Sequence, residues 1–224
     1  VVKLANNATT TINTGTGAGA VTISGLEGNG GNNDLLVITS GEGDVTFSGS
    51  IGVGATKAIG GLDVNSSSGD GDIIFSNTIG DGVHPGVSGT TAIGGTDTED
   101  VTFAGLLYTF DGNTTITAAD GDNIKVTGTG DATFITAEDT IEFSTGHIHL
   151  DDGSNLVVDT GAGIGNITIA EIAGTSQETV TLDAGTGTTS VGVIGNGTEI
   201  GTLSIGSAAN GGITLNGNIT TDGV

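Results

Sequence analysis

A short acidic-aromatic phrase recurs along this chain at a fixed interval. The segment Asp44–Phe47 is followed by the similar segments Asp72–Phe75 and Asp100–Phe103, and successive phenylalanines are 28 residues apart (75 − 47 = 28 and 103 − 75 = 28). A fixed period of this length indicates a structure in which each repeat stacks on its neighbours. We therefore predict a solenoid in which aspartate lies on aspartate and phenylalanine on phenylalanine.

A longer internal repeat relates residues 41–83 to residues 185–224. Ile51-Gly52 matches Ile194-Gly195, Ile59-Gly60 matches Ile200-Gly201, and the match runs on to the end of the sequence. The second copy stops where the first continues. This pattern predicts either a piece of a longer array or a subunit that a neighbour completes, and in both cases a structural material.

The interiors of the 28-residue units do not align without gaps. Residues 58–61 and 92–95 carry the same Ala-Ile-Gly-Gly sequence, but they are 34 positions apart (92 − 58 = 34). We expect an insertion near residues 84–89, offset by a deletion before Asp100. Solenoids tolerate such insertions because each coil contacts only its neighbours.

Short β-branched clusters separated by Gly, Asp, Asn and Thr run through the whole chain. In Val101-Thr102-Phe103 and similar triplets, apolar and polar residues alternate, which is typical of strands with one buried face. No stretch has a helical period with caps. We predict one all-β domain over residues 1–224, a β-solenoid or β-helix-like stack of short strands. A β-sandwich or jelly-roll filament subunit is the alternative.

The charge of the chain excludes several partners. It has 26 acidic residues against 3 basic ones, a formal net charge of −23, and no arginine. Nucleic-acid binding needs cationic side chains that replace the counterions on phosphate, so we expect no nucleic-acid partner. No apolar run reaches the ~18 residues of a membrane span, so we expect no membrane insertion.

Two further features of composition bear on location. The chain has no Cys, hence no disulfide and no thiolate metal site, and it has no Met and opens at Val1. We expect that a secretion signal or a longer precursor was removed, and that the protein is extracellular or on the cell surface.

The repeated phrases also resemble a known class of proteins. Residues 43–52, 58–64 and 211–223 are similar to the large β-strand-repeat surface proteins of bacteria and archaea, which resemble filamentous-haemagglutinin-type adhesins and matrix proteins. The resemblance covers nearly the whole chain. It implies an exported, surface-attached or matrix protein with a β-solenoid fold, and it supplies no catalytic residue.

Acidic turns are the candidate metal sites. They cluster oxygen ligands on tight glycine turns, as Ca²⁺ prefers, although Asp-Gly pairs are also ordinary turn formers. We expect no cofactor other than Ca²⁺, which is the one candidate. The candidate ligands are Asp70, Asp72, Asp120, Asp122, Asp151 and Asp152.

Catalysis has little support in the sequence. No Ser-His-Asp order stands out, no glycine-rich loop opens a helix, and the chain has one Tyr and no Trp on which a sugar could stack. We expect no enzyme. Glycans are a further expected partner, because export would permit N-glycosylation at the sequons of Asn7, Asn65, Asn113, Asn166, Asn196 and Asn218.

Apolar residues near the two ends predict self-association. An open solenoid end presents unpaired backbone groups, and neither end shows a polar or helical cap. We expect head-to-tail homopolymers, and hence a structural subunit of an extracellular filament, sheath or surface layer. A repeat segment of a cell-surface adhesin is the alternative. The predicted subunit contacts are Val1, Val2, Leu4, Ile213, Leu215, Ile219 and Val224.

Overall fold

The computed structural model describes residues 1–30, 33–67, 69–175, 177–206 and 211–222. Parallel strands stack in a β-solenoid of about nine turns, called coils here, without any helix in this described part. The prediction of an all-β solenoid is confirmed, and the sandwich and jelly-roll alternatives are wrong because every ladder is parallel and joins successive coils. The strands are β1 (Val2–Lys3), β2 (Thr9–Asn13), β3 (Val21–Ile23), β4 (Leu26–Glu27), β5 (Leu35–Ser40), β6 (Val45–Phe47), β7 (Gly61–Ser66), β8 (Ile73–Phe75), β9 (Thr91–Ile93), β10 (Val101–Phe103), β11 (Leu107–Phe110), β12 (Thr114–Ile116), β13 (Asn123–Val126), β14 (Gly130–Thr136), β15 (Ile141–Phe143), β16 (His147–Leu150), β17 (Ser154–Asp159), β18 (Ile167–Ala173), β19 (Thr179–Asp183), β20 (Thr189–Ile194), β21 (Thr202–Gly206) and β22 (Ile213–Leu215).

The strands form three faces, which the chain visits in turn. Face 1 holds β1, β4, β11, β14, β17, β19 and β21, and single bridges join β4 to β11 across two coils. Face 2 holds β2, β5, β7, β9, β12 and β15, and face 3 holds β3, β6, β8, β10, β13 and β16. The long strand β18 spans faces 2 and 3, because Ile167 pairs with β15 and Ile172 pairs with β16.

Alternation along each strand decides which side chains fill the interior. In β10, Val101 and Phe103 are buried while Thr102 between them is partly exposed, and the same pattern recurs in β6, β8, β12 and β15. The inward residues of all three faces form one continuous core. Since successive strands are in register, each inward residue lies on an inward residue of the next coil.

Aromatic rings line this core in the predicted order. Phe47 stacks on Phe75 with ring centroids 4.9 Å apart, and Phe75 stacks on Phe103 at 5.3 Å. The edge of Phe103 then meets Tyr108 on face 1, at a centroid distance of 4.8 Å and an interplanar angle of 75°. The predicted stacking of phenylalanine on phenylalanine is confirmed.

The predicted insertion and compensating deletion are present, but each is one residue and not the six (34 − 28 = 6) that the Ala-Ile-Gly-Gly segments suggest. The offset between paired residues rises from 28 at Ile59 and Val87 to 29 at Leu62 and Thr91, and it returns to 28 at Ile73 and Val101. Ile59 pairs with Val87, not with Ile93, and Ile93 pairs with Val64. The coils around residues 51–103 therefore keep a nearly constant length. The two Ala-Ile-Gly-Gly segments align in sequence but not in space. Ile59 lies before β7 and bridges to Val87, whereas Ile93 lies in β9 and pairs with Val64.

The internal repeat relates neighbouring faces rather than equivalent ones. Its first copy places β7 on face 2 and β8 on face 3, whereas the matching strands β21 and β22 lie on faces 1 and 2. Likewise Ile79 bridges along face 1, while the matching Ile219 bridges to Ile194 next to face 3. The two copies of the repeat are thus similar strand-and-turn segments that lie on different faces of the solenoid.

Candidate functional site

Two coils depart from the regular geometry of face 1. In β11 the inward residues Tyr108 and Phe110 are two positions apart, as in any strand. Their partners on the coil before are Ile79 and Val87, eight positions apart, and one coil earlier the partners are Ile51 and Ile59. In each of these two coils, a loop therefore separates the two inward residues that a continuous strand would place two positions apart. We call residues 52–58 the first loop and residues 80–86 the second loop.

Glycines allow the two loops to stack closely on each other. Gly52 has φ 63°, and a Cβ there would lie 2.3 Å from the carbonyl oxygen of Gly86. A Cβ on Gly86 would in turn lie 2.3 Å from the Gly80 amide nitrogen. Side chains at these positions would collide with backbone, so the Ile-Gly phrases of the internal repeat mark strand-splitting loops.

An aspartate and a histidine fix the second loop. Oδ1 of Asp81 accepts hydrogen bonds from the backbone amides of Val83 at 3.0 Å and His84 at 2.7 Å. Nδ1 of His84 lies 3.0 Å from Oδ2 of the same carboxylate. These contacts, the His84 amide first, lower the pKa of Asp81 to about 2. The imidazole is thereby oriented through Nδ1, which leaves Nε2 for another partner.

The two loops enclose a cleft with His84 on its wall. The cleft has a volume of about 250 Å³ and is lined by Gly54, Thr56, Ala58, His84, Pro85, Ser88 and Asp111. The hydroxyl of Ser88 donates to the Ile59 carbonyl at 3.1 Å, which holds that wall in place. A carboxylate, an imidazole and two hydroxyls thus meet around one small space.

Thr56 lies between this cleft and a second one. Its φ of 65° is unusual for a β-branched residue and marks local strain. The second cleft is also lined by Lys3 and Lys57. Nζ of Lys57 lies 2.6 Å and that of Lys3 3.7 Å from Oε2 of Glu27, and the Lys57 contact chiefly lowers the pKa of that carboxyl. Two of the three lysines of the chain therefore neutralise one partly buried carboxylate.

A buried carboxylate lies beside the second cleft. Asp34 is fully buried, and neither of its side-chain oxygens has a hydrogen-bond partner among the described residues. A Cβ on Gly28 would lie 3.0 Å from Oδ2 of Asp34 and 2.0 Å from the Ala58 carbonyl oxygen. The absence of a side chain at Gly28 is what leaves room for this carboxylate.

A ladder of aspartates runs along the edge of face 3 where its strands begin. Oδ1 of Asp44 accepts the Asp72 amide at 3.1 Å, and Oδ1 of Asp72 accepts the Asp100 amide at 3.1 Å. Burial, followed by repulsion from Asp100 and Asp44, raises the pKa of Asp72. The predicted stacking of aspartate on aspartate is confirmed. Each carboxylate in the row is held by a hydrogen bond from the backbone amide of the next aspartate.

Lys125 and Asn123 end this ladder on the next coil. Oδ1 of Asp100 accepts the Asn123 amide at 2.8 Å, and Nζ of Lys125 donates to the other oxygen. The hydrogen bond to Asp100 chiefly raises the pKa of Lys125, and the pKa of Glu99 is raised mainly by the Asp72 carboxylate. The third lysine thus offsets part of the repulsion along this edge.

The candidate calcium ligands fall at two different places. Asp70, Asp72, Asp120 and Asp122 all lie at or near the edge where face 3 begins, whereas residues 151–152 lie where β16 ends. Across the described ranges, no three His, Asp or Glu side chains are close enough to hold a metal ion together. Calcium binding at these turns stays a prediction.

Two histidines on β16 contact acidic side chains rather than each other. Nδ1 of His147 lies 3.0 Å from Oε2 of Glu171, and Nε2 of His149 lies 3.6 Å from Oδ1 of Asp151. Oε1 of Glu171 also accepts a hydrogen bond from Asn196 at 2.8 Å. The two contacts of Glu171 join neighbouring coils on the outside of face 3, whereas the contact between His149 and Asp151 lies within one coil.

The predicted subunit contacts divide into exposed and buried residues. Val1 and Val2 are 77% and 46% exposed, but Leu4 packs into the core of its own chain. At the other end Ile213 and Leu215 are 46% and 51% exposed, and Ile219 is also exposed. Val224 lies outside the described residues.

Comparisons with protein-family models, with curated protein sequences and with solved structures found no match. Within the described ranges, the chain has no helix long and apolar enough to cross a membrane. The function of the chain is therefore inferred from its fold and from the geometry of its sites.

Sequence reasoning missed the two loops and the cleft between them. A signal is present for the first loop, because Ile51-Gly52 is followed by Ile59-Gly60, as Ile194-Gly195 is by Ile200-Gly201. In the sequence that phrase suggests a stacking unit, whereas in the structure it marks the two ends of an inserted loop. Asp81 and His84 are three residues apart, and no sequence period singles them out.

Proposed function

We propose that this protein is a structural subunit of an extracellular filament, sheath or surface layer, and that its copies associate end to end. The observation that carries the proposal is the change in exposure at the last coil. Thr189 and Val191 of β20 are buried, whereas their partners Ile213 and Leu215 on β22 are about half exposed. A further layer of strands would bury these apolar side chains and pair the open backbone edge.

The stacked rows of inward side chains favour a second copy of the same chain as that layer. Leu215 ends an inner row of face 2, and Ile12 begins the same row. Ile205 ends an inner row of face 1, and Val2 begins it. Stacking one copy on the next would therefore set apolar residue against apolar residue on both faces. Such a contact does not close on itself, so it grows a fibre.

The charge of the chain supports an extended assembly of this kind. With a net charge of −23, copies repel one another side by side, while the end segments carry few charges: residues 1–13 have Lys3 as the one charged side chain, and residues 202–221 have none. Strand addition at the ends satisfies backbone groups irrespective of side-chain charge. The protein would then grow in one direction and resist lateral clumping.

Sedimentation velocity over a concentration series tests this proposal. We expect wild-type protein to form species that grow with concentration, and the edge variant Leu215→Glu to stay monomeric. Ile164→Glu is the matched control, because Ile164 is 79% exposed and lies in a loop away from both end coils. Assembly by both variants, or a monomeric wild type at the highest concentration, would contradict end-on association.

The second candidate function is a repeat segment of a cell-surface adhesin. The stacked loops favour it, because loops that project from one side of a repeat fold are where such folds commonly bind ligands. A wild type that stays monomeric and binds a ligand at these loops would support this alternative. Calcium and attached glycans are proposed partners in either case, and neither function needs catalysis.

A further inference from the structure

The cleft between the first and second loops has features that the solenoid core does not need. In β11, a continuous strand supplies the two inward residues that its coil needs on face 1. The two loops are therefore not required to fill the core. They nevertheless contain a strained Thr56 and a histidine held by a carboxylate. Strained and pre-oriented groups of this kind are commonly retained where a ligand binds.

The groups on the cleft wall are suited to hydroxyl groups. The Asp111 carboxylate offers two acceptor oxygens, and no described donor occupies them. Nε2 of His84 can donate or accept because Nδ1 is taken by Asp81. Thr56 adds a hydroxyl, and Pro85 adds an apolar surface beside these polar groups.

The size of the cleft and the charges around it restrict the class of ligand further. Pockets for drug-sized ligands span roughly 300–1,000 Å³. The volume of about 250 Å³ here suits a smaller group, of the order of one six-membered ring. An anion would face Asp111, Asp81 and a net charge of −23. A metal ion would lack a third His, Asp or Glu ligand among the described residues.

We propose that the cleft between residues 52–58 and 80–86 binds one neutral pyranose unit of a saccharide. Asp111 accepts hydrogen bonds from two adjacent sugar hydroxyls, and Nε2 of His84 bonds a third. The ring of Pro85 packs against the apolar side of the sugar. This site is independent of end-on association, since it lies on the side of the solenoid and not at its ends.

NMR titration of the ¹⁵N-labelled full chain tests the proposal. The neutral probes are the methyl glycosides of D-glucose, D-galactose, D-mannose and N-acetyl-D-glucosamine, and the charged probes are D-glucuronate, Ca²⁺ and Zn²⁺. We expect at least one neutral glycoside to shift the amides of Gly54, His84 and Ser88 in a saturable way. We expect glucuronate to bind more weakly than that glycoside.

Two variants tie the binding to the cleft. Asp111→Ala should weaken binding of that glycoside roughly 10-fold or more, because a hydrogen bond to a charged group is lost. Asp97→Ala is the matched control, since Asp97 is exposed and lies outside the cleft, and it should leave affinity unchanged. Unchanged amide spectra away from the cleft confirm that both variants fold.

Three results would overturn the proposal. The first is the absence of a saturable shift with every neutral glycoside. The second is equal affinity of wild type and Asp111→Ala. The third is a response to Zn²⁺, Ca²⁺ or glucuronate that exceeds the response to the neutral probes, which would identify the cleft as an ion site.

Discussion

Phe47 and Phe75 lie one above the other on successive coils, with ring centroids 4.9 Å apart and ring planes within 1° of parallel. The spacing matches the separation of neighbouring strands in a sheet, which is about 4.8 Å. The backbone ladder between β6 and β8 therefore sets the distance between the rings. A single strand spacing determines both the hydrogen bonds and the core packing of this solenoid.

Truncation of the middle ring in this row should be strongly destabilising. Phe75 is buried between Phe47 and Phe103, so Phe75→Ala leaves a cavity with no flexible neighbour to fill it. We expect a loss of about 3–5 kcal/mol in the free energy of unfolding, measured by urea titration. The outward change Thr102→Ala should cost less than about 0.5 kcal/mol. Equal costs for the two changes would contradict the inward and outward assignment of β8 and β10.

Neutralising the middle carboxylate of the aspartate ladder should stabilise the protein. Burial and the neighbouring Asp100 and Asp44 raise the pKa of Asp72, so its charged form is disfavoured in the folded state. The stability lost to this charge is recovered as the pH falls through that raised pKa. Asp72→Asn keeps an acceptor for the Asp100 amide and should gain about 0.5 kcal/mol at pH 7.

The gain from Asp72→Asn should shrink at low pH and at high salt. At low pH the wild-type carboxyl is itself protonated, and at high salt the repulsion is screened. Asp120→Asn is the control, because Asp120 is exposed near the same edge. A gain that is the same at pH 7 and pH 3, measured by urea titration, would show that charge is not the cause.

Asp34 offers a second test of buried charge. Its carboxylate has no hydrogen-bond partner among the described residues, whereas an asparagine of the same shape carries no charge to bury. We expect Asp34→Asn to raise the free energy of unfolding by about 1–3 kcal/mol. Thermal melts with and without EDTA complete the test. A destabilised variant together with an EDTA effect on wild type alone would mean that a bound cation pairs with this carboxylate.

Asp81 should remain ionised to unusually low pH. Hydrogen bonds from the His84 amide and imidazole lower its pKa to about 2, so the unfolded chain binds the proton more readily. The stabilisation of the second loop is therefore present above the ordinary pKa of an aspartate and is lost as the pH falls toward 2. The ¹³C shift of the Asp81 carboxyl and the amide shifts of Val83 and His84 should titrate together. A midpoint near the ordinary value of about 3.9 would contradict the hydrogen bonding described for this loop.

Much of the fold could be predicted because the period and the alternation express the same geometry. A spacing of 28 residues between Phe47, Phe75 and Phe103 places one residue of each coil at the same position on face 3, and the alternation along each strand separates inward from outward side chains. The 28-residue period and the alternation can both be read from a single sequence, because stacked coils must repeat their inward residues. The segment Ala58–Gly61 gives the wrong register because glycine-flanked isoleucine suits more than one corner.

The candidate site could not be predicted to the same extent. The sequence identified acidic turns as sites because they are dense in oxygen ligands, but it could not show that Asp44, Asp72 and Asp100 bond the backbone of the next coil. The cleft between the two loops depends on residues from three successive coils, such as Thr56, His84 and Asp111. Their proximity is a consequence of coil register and not of any local pattern.

The axial repeat of the assembled protein tests end-on association most directly. About nine coils, each about 4.8 Å thick, give a subunit height of roughly 43 Å. We expect electron microscopy of wild-type protein to show filaments with this axial rise per subunit, together with a layer spacing near 4.8 Å along the filament axis. Filaments whose subunit rise differs clearly from about 43 Å, or protein that remains as single particles under the same conditions, would contradict end-on stacking of the coils.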